Sequence, residues 1–201
     1  MITAVNQHGT SPTGRGGLAY GVIVVVLAIV AGVAWVVARG AAPESVPVAC
    51  GRPEAGATMS STELVGVAAI APAQVPVRVV NGGGEVGAAT SVADSLSSLG
   101  FAQAPDPVGN DPLSPGQDMD CHGQIRFPAQ NLAAAATMHL VLPCYELVRA
   151  DRPDGVIEVA LGSGFTSPDD SDAIRRILDA LNRGVEPESD AVGAVGRASC
   201  R

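Results

Sequence analysis

Apolar residues alternate at Val75, Val77 and Val79, as they do along one face of a β-strand. A glycine-rich turn follows, Asn81 to Gly84, and then the period lengthens. Ala89, Val92, Leu96 and Leu99 recur at spacings of three and four, which gathers them into one helical stripe. Gly100 stands where a left-handed helix cap belongs, and Phe101 is placed to fold back as its apolar closure. A related pattern recurs downstream. Gln124 to Phe127 reads as a strand with Ile125 and Phe127 on one face, and Pro128 suits the first turn of a helix. Leu132, Ala136 and Leu140 then give that helix a narrow packing face, and Pro143 ends it. Tyr145 to Val148 adds a short extension, and Arg152-Pro153-Asp154-Gly155 is a turn. Val156 to Leu161 is apolar on both faces except at Glu158, as expected for a strand inside a sheet. Ser167 and Pro168 are placed to start a last helix with Ile174, Ile177, Leu178 and Leu181 on its buried side, and Gly184 stops it. These elements predict an α/β fold: a small two-layer sandwich of two strand-helix-strand halves, with the helices on one side. Pro105 to Asp120, rich in proline and aspartate, reads as a long loop between the halves.

Upstream, Leu18 to Val37 carries no charge over a length that matches about one bilayer crossing at ~1.5 Å per residue. Tyr20 and Trp35 lie near its ends, as in an aromatic belt. The run exceeds the apolar core of an ordinary signal peptide, although Ala38-Arg39-Gly40 would serve as a cleavage site. The chain therefore divides into a cytoplasmic tail (1–17), a transmembrane helix (18–38), an extracytoplasmic stalk (39–74), the α/β domain with its C-terminal helix (75–184) and a tail (185–201). Within the stalk, Ser60-x-x-Glu63 has the form of a capping box.

Charge sharpens this division. All twenty acids and ten of the twelve basic residues, every one an arginine, follow residue 40, so the chain from Ala41 on carries a net charge of −10. Such a surface excludes nucleic acid as a partner class. Cys50, Cys121, Cys144 and Cys200 also all follow the span and show no C-x-x-C spacing. An even set in an exported segment predicts two disulfides. The simplest pairing joins the inner two, Cys121 with Cys144, and the outer two, Cys50 with Cys200; four buried or free thiols are the alternative.

Candidate chemistry is sparse. Gly82-x-Gly84-x-x-Gly87 follows a strand and opens a helix, the literal dinucleotide fingerprint, with Asp106 about twenty residues on. Too little chain remains for a dinucleotide fold, and the glycines are explained by a tight strand-to-helix turn. No cofactor is expected. The N–H groups of Asn81, Gly82, Gly83 and Gly84 remain a candidate ligand cradle. Gly83 stands at the tip and is read as facing solvent, whereas Gly82 and Gly87 are read as structural. Asp118-x-Asp120-Cys121-His122 gathers metal-capable side chains, but reads as an exposed acidic loop beside a disulfide, and no metal is expected. His139, among alanines, reads as a packing residue. No catalytic residues are assigned.

Val77-Arg78-Val79-Val80-Asn81-Gly82, Gly87-Ala88-Ala89 and Leu96 to Gly100-Phe101 resemble the signature of the LytR C-terminal domain, and Ile125-Arg126-Phe127 and Val156 to Gly162 fit its second half. The resemblance covers residues 75 to 165. One span followed by this domain alone is similar to the layout of an actinobacterial envelope protein. In many relatives the domain follows a catalytic phosphotransferase domain, which has no counterpart here. The resemblance therefore implies a non-enzymatic module at the cell membrane that supports cell-envelope integrity by binding an envelope glycopolymer or envelope protein. It lends no catalytic residues. The competing expectation is an enzyme acting on cell-wall glycopolymer through the 106–122 loop and His122. The family's turn often carries Ser or Thr where Gly83 stands.

Overall fold

In the computed structural model, which describes residues 21–31 and 49–187, residues 57–161 supply one six-stranded mixed sheet. Its strands are β1 (Ala57–Met59), β2 (Pro76–Asn81), β3 (Ala102–Asn110), β4 (Gly123–Phe127), β5 (Glu146–Arg149) and β6 (Ile157–Leu161), in the order β1-β5-β4-β6-β2-β3. Helix α1 (Ala88–Ser98) links β2 to the parallel β3, and helix α2 (Leu132–Val141) links β4 to the parallel β5. These are the two strand-helix-strand halves. The central strand β6 joins them, parallel to β2 and antiparallel to β4. Helix α3 (Asp172–Asn182) follows β6.

One face of the sheet makes the main core. Val77, Val79, Ile125, Phe127, Ile157 and Val159 are buried there with Val92 and Leu96 of α1, Met138 of α2 and Ile174 and Ile177 of α3. Helix α1 ends as its sequence dictates: Gly100 has φ +89° and the Phe101 amide donates back to the Leu96 carbonyl at 3.1 Å. Gly184, at φ +68°, closes α3.

Several elements differ from the sequence reading. Residues 49–74, read as a stalk, are folded onto the domain. Ala57–Met59 pairs with β5, the capping box of Ser60 and Glu63 starts a short 3-10 turn, and Ile70 exchanges hydrogen bonds with the Thr137 hydroxyl. The run from Pro105 is not all loop, because β3 continues to Asn110 at the sheet edge. Its prolines are tolerated there because β3 pulls away from β2 between Val77 and Val79 before pairing resumes, so no ladder bond is demanded of them. Helix α2 buries Ala135, Met138 and Val141, while Leu132 and Leu140 are only partly covered; an alanine-rich helix hardly distinguishes its faces by hydrophobicity. Ser171, not Ser167, caps α3, accepting from the Ile174 amide.

Residues 21–31 are helical, and the rest of the 18–38 span lies outside the described residues, as do 1–17 and 188–201. Among the described residues no helix is long and apolar enough to cross a membrane.

Candidate functional site

The glycine turn is built around the side chain of Asn81. Its Oδ1 accepts from the amides of Gly83 at 3.2 Å and Gly84 at 3.0 Å, and its Nδ2 donates to the Glu85 carbonyl at 2.7 Å. The Gly82 amide donates to the Leu161 carbonyl at 2.9 Å, and the Gly82 carbonyl accepts from Met119 at 3.0 Å. The N–H groups of Gly82, Gly83 and Gly84 are thus all engaged within the fold. What the turn presents outward is Glu85 and Val86, the latter 98% exposed. Gly84 and Gly87 have φ near +85° and +82°, where a side chain would be strained.

Gly83 does not face open solvent. A Cβ there would lie 2.2 Å from the Gly162 carbonyl carbon, because the β2 turn packs directly on the backbone after β6. We expect Gly83→Ser to destabilise the fold by about 2–3 kcal/mol through this overlap. Gly87→Ala, strained but with nothing within 4 Å of its Cβ, should cost about 1 kcal/mol. Urea denaturation of the two variants checks the order; an unaffected Gly83→Ser would refute the packing.

The loop 111–122 closes over the second face of the sheet. Met119 and Cys121 bury Val80 and Ala160 there. Asp111, at the end of β3, turns inward and meets Arg126 of β4 side by side: Nη1 to Oδ1 and Nη2 to Oδ2 are both 2.8 Å. Arg126 also donates to Gln124 at 2.9 Å and to Glu158 at 3.2 Å, and Glu158 takes Arg152 on its other oxygen at 3.1 Å. Gln124 passes the network on to Glu146 at 2.7 Å. Asp111 and Arg126 are each 1% exposed. Burial pushes the Asp111 carboxyl up, but the hydrogen bonds and charge of Arg126 outweigh it and hold the group below its usual 3.8.

The metal-capable residues of the loop are separated by their partners. Asp118 pairs with Arg52, Asp120 accepts from the Ser163 hydroxyl at 3.0 Å, and buried His122 donates through Nδ1 to the Gly164 carbonyl at 2.8 Å. Among the described residues no group of three His, Cys, Asp or Glu converges on a metal position. His139 borders a shallow groove of about 370 Å³ with Ser60, Ser61, Tyr145 and Glu146. Burial holds the His139 imidazole below its usual 6.5, so it is neutral at neutral pH.

Cys121 is bonded to Cys50, not to Cys144. The expected inner pairing fails because residues 49–74 return along the sheet and bring the Cys50 Cα within 5.2 Å of that of Cys121. The Cys50 amide donates to Glu146 at 3.3 Å, which ties the crosslink to the network below the loop. The Cys50–Cys200 pairing falls with it. Cys144 is itself in a disulfide, and Cys200 lies outside the described residues. The signal that reasoning from sequence missed is Asp111 with Arg126: each looks solvent-facing when taken alone.

Comparison with known proteins agrees with this architecture. The family described as LytR cell envelope-related transcriptional attenuator matches residues 74–165. The cell envelope integrity protein Cei of Mycobacterium tuberculosis is 35% identical over 198 residues, covering 94% of this chain and 91% of its own. The crystal structure of the soluble domain of a conserved hypothetical secreted protein from Mycobacterium marinum has a TM-score of 0.67 and 34% identity, covering 73% of this chain and 99% of that one. The strand-turn-helix unit on Asn81, its second half on β4 and β6, and an alignment spanning nearly the whole chain together place this protein in the LytR C-terminal domain family of cell-envelope proteins.

Proposed function

We propose that the protein is a membrane-anchored extracytoplasmic module, without catalytic activity of its own, that supports cell-envelope integrity by binding an envelope glycopolymer or an envelope protein. The observation that carries this reading is the alignment with Cei over 94% of the chain. The secreted character named for the M. marinum domain supports an exported position for residues 49–187. The uncharged run 18–37 supplies the anchor. The internal engagement of Asp118, Asp120 and His122 favours binding over catalysis. Glu85, Val86 and the groove beside His139 are the surfaces offered to a ligand.

Crosslinking in living cells from a photoreactive residue placed at Val86, and in a second strain at Ser61, tests the reading. An envelope polymer or envelope protein is the expected adduct, and deletion of the chain is expected to raise envelope permeability. Glycopolymer turnover that disappears in Asp120→Ala or His122→Ala would overturn it in favour of an enzyme. Topology is tested separately: protease added to intact spheroplasts is expected to remove the domain, and full protection would place it on the inner side.

A further inference from the structure

The sequence holds four cysteines, Cys50, Cys121, Cys144 and Cys200. Cys50 and Cys121 are bonded to each other, and Cys144 is in a disulfide of its own. The count leaves Cys200 as its partner. Cys144 follows α2, between Pro143 and Tyr145, and is 8% exposed. Those two neighbours line the groove of about 370 Å³ together with Met59, Ser61, His139 and Glu146. A chain that brings a second sulfur to Cys144 must come in beside these residues. The C-terminal tail is long enough to do so. Helix α3 begins where α2 ends, and the Asp169 amide donates to the Val141 carbonyl at 2.8 Å. The tail leaves from the other end of α3, where Gly184 turns the chain back and the Val185 amide donates to the Ala180 carbonyl at 2.9 Å. Helix α3, 11 residues long, spans about 16 Å. The extended stretch from Pro187 to Cys200 reaches about 43 Å, so a return run along α3 leaves length to spare.

We infer that Cys144 and Cys200 form a second disulfide, and that the groove beside His139 is the seat of this chain's own residues 191–201. Shape fits the assignment. Ala191 to Gly196 reads Ala-Val-Gly-Ala-Val-Gly, with no charge and no large side chain, which suits a shallow groove lined in part by Met59, Pro143 and Leu147. Charge fits as well. Residues 191–201 carry Arg197 and Arg201 and no acid, against a net charge of −10 on the chain from Ala41 on. Within the groove, Glu146 receives the Gln124 side chain and the Cys50 amide both on Oε2. Its Oε1 is left to a guanidinium, the donor best matched to a carboxylate. Closing the bond takes two protons and two electrons from the two thiols. A disulfide oxidant of the exported compartment accepts them and leaves as a dithiol. This goes beyond the proposed function and divides its two surfaces: the tail holds the groove, and Glu85 and Val86 stay open to an envelope ligand.

Non-reducing proteolysis of the full chain in detergent micelles, read by mass spectrometry, tests the bond. A Cys144–Cys200 linked peptide from a chain that runs as a monomer on a non-reducing gel is expected. An alkylatable thiol at Cys200, or a covalent dimer through Cys200 of a second copy, would overturn the inference. A photoreactive residue at Ser61, activated in intact cells, tests the seat. The expected adduct joins position 61 to the 191–201 peptide of the same chain, and the Cys144→Ser, Cys200→Ser variant should lose it. Where that variant fails to fold, Arg197→Glu with Arg201→Glu keeps the disulfide and should still lower the yield of the tail adduct; an unchanged yield would refute the seat. A tail adduct at Ser61 with no envelope adduct at Val86 would sink the proposed function and leave this inference standing. An envelope polymer or a second protein captured at Ser61 in place of the tail, equally in parent and variant, would do the reverse.

Discussion

Exchanging Arg126 for methionine is expected to destabilise the domain by roughly 3–5 kcal/mol, the range for removing one partner of a buried ion pair. Asp111 would be left with no cation, on a side chain that is 0% exposed. Glu158 would keep Arg152 and so suffers less. The melting temperature should fall on the order of 10 °C for a domain of this size. The double variant Arg126→Met, Asp111→Leu should recover much of the loss, because both desolvated charges are then gone. A double variant as unstable as the single one would mean that the pair is not the source of the effect.

The same pair fixes the acid limb of the stability curve. The folded-state pKa of Asp111 lies below its usual 3.8. A depressed carboxyl contributes stability that is complete above the unfolded-state value and is lost as pH falls through the folded one. Acid unfolding should therefore steepen below about pH 4, and Asp111→Asn should flatten that limb while lowering stability at neutral pH. Denaturation at a series of pH values reads both effects.

Local patterns were legible wherever one face met the core and the other did not. The strand at Val77 and Val79, the stripe of α1, the Gly100–Phe101 cap and the apolar face of α3 all announce themselves through period and punctuation. Legibility failed where burial comes from both sides. Arg126 alternates with Ile125 and Phe127, which suggests a solvated face, and Glu158 stands as a lone interruption in a strand otherwise apolar on both faces. That face is instead roofed by the 111–122 loop, and the charges survive there only because each meets its opposite. No periodicity can show that Asp111, fifteen residues before Arg126, supplies the counter-ion. Gly83 was misread for a related reason: position at a turn's tip says nothing about a second backbone, that of Gly162, packed against it. Residues 49–74 have the composition of a stalk because an edge strand of three residues and short turns need few apolar side chains. Once that segment is taken for a tether, the inner cysteines are the natural pair.

An effect of comparable size is expected from the crosslink that this misreading hid. Cys50 and Cys121 lie 71 residues apart in sequence. On the chain-entropy model, closing a loop of that length stabilises the fold by about 4 kcal/mol, more than the ~3 kcal/mol of a short inner loop. Position adds to length. Cys121 is fully buried at the end of the 111–122 loop, and Cys50 begins the segment that leads into β1. The disulfide therefore holds the roof of the polar face and the first strand of the sheet together at one point. The Cys50→Ser, Cys121→Ser variant should unfold at markedly lower urea. The amides of Met119 in the loop and of Ser163 just after β6, which donate to the Gly82 and Met119 carbonyls respectively, should lose hydrogen-exchange protection before those of β2 and β6. Arg126→Met should instead leave the crosslink intact and lower protection across β4 and β6. If removing the disulfide lowered protection uniformly, the loop would be part of the cooperative core, and Cys50–Cys121 would act on the unfolded chain alone.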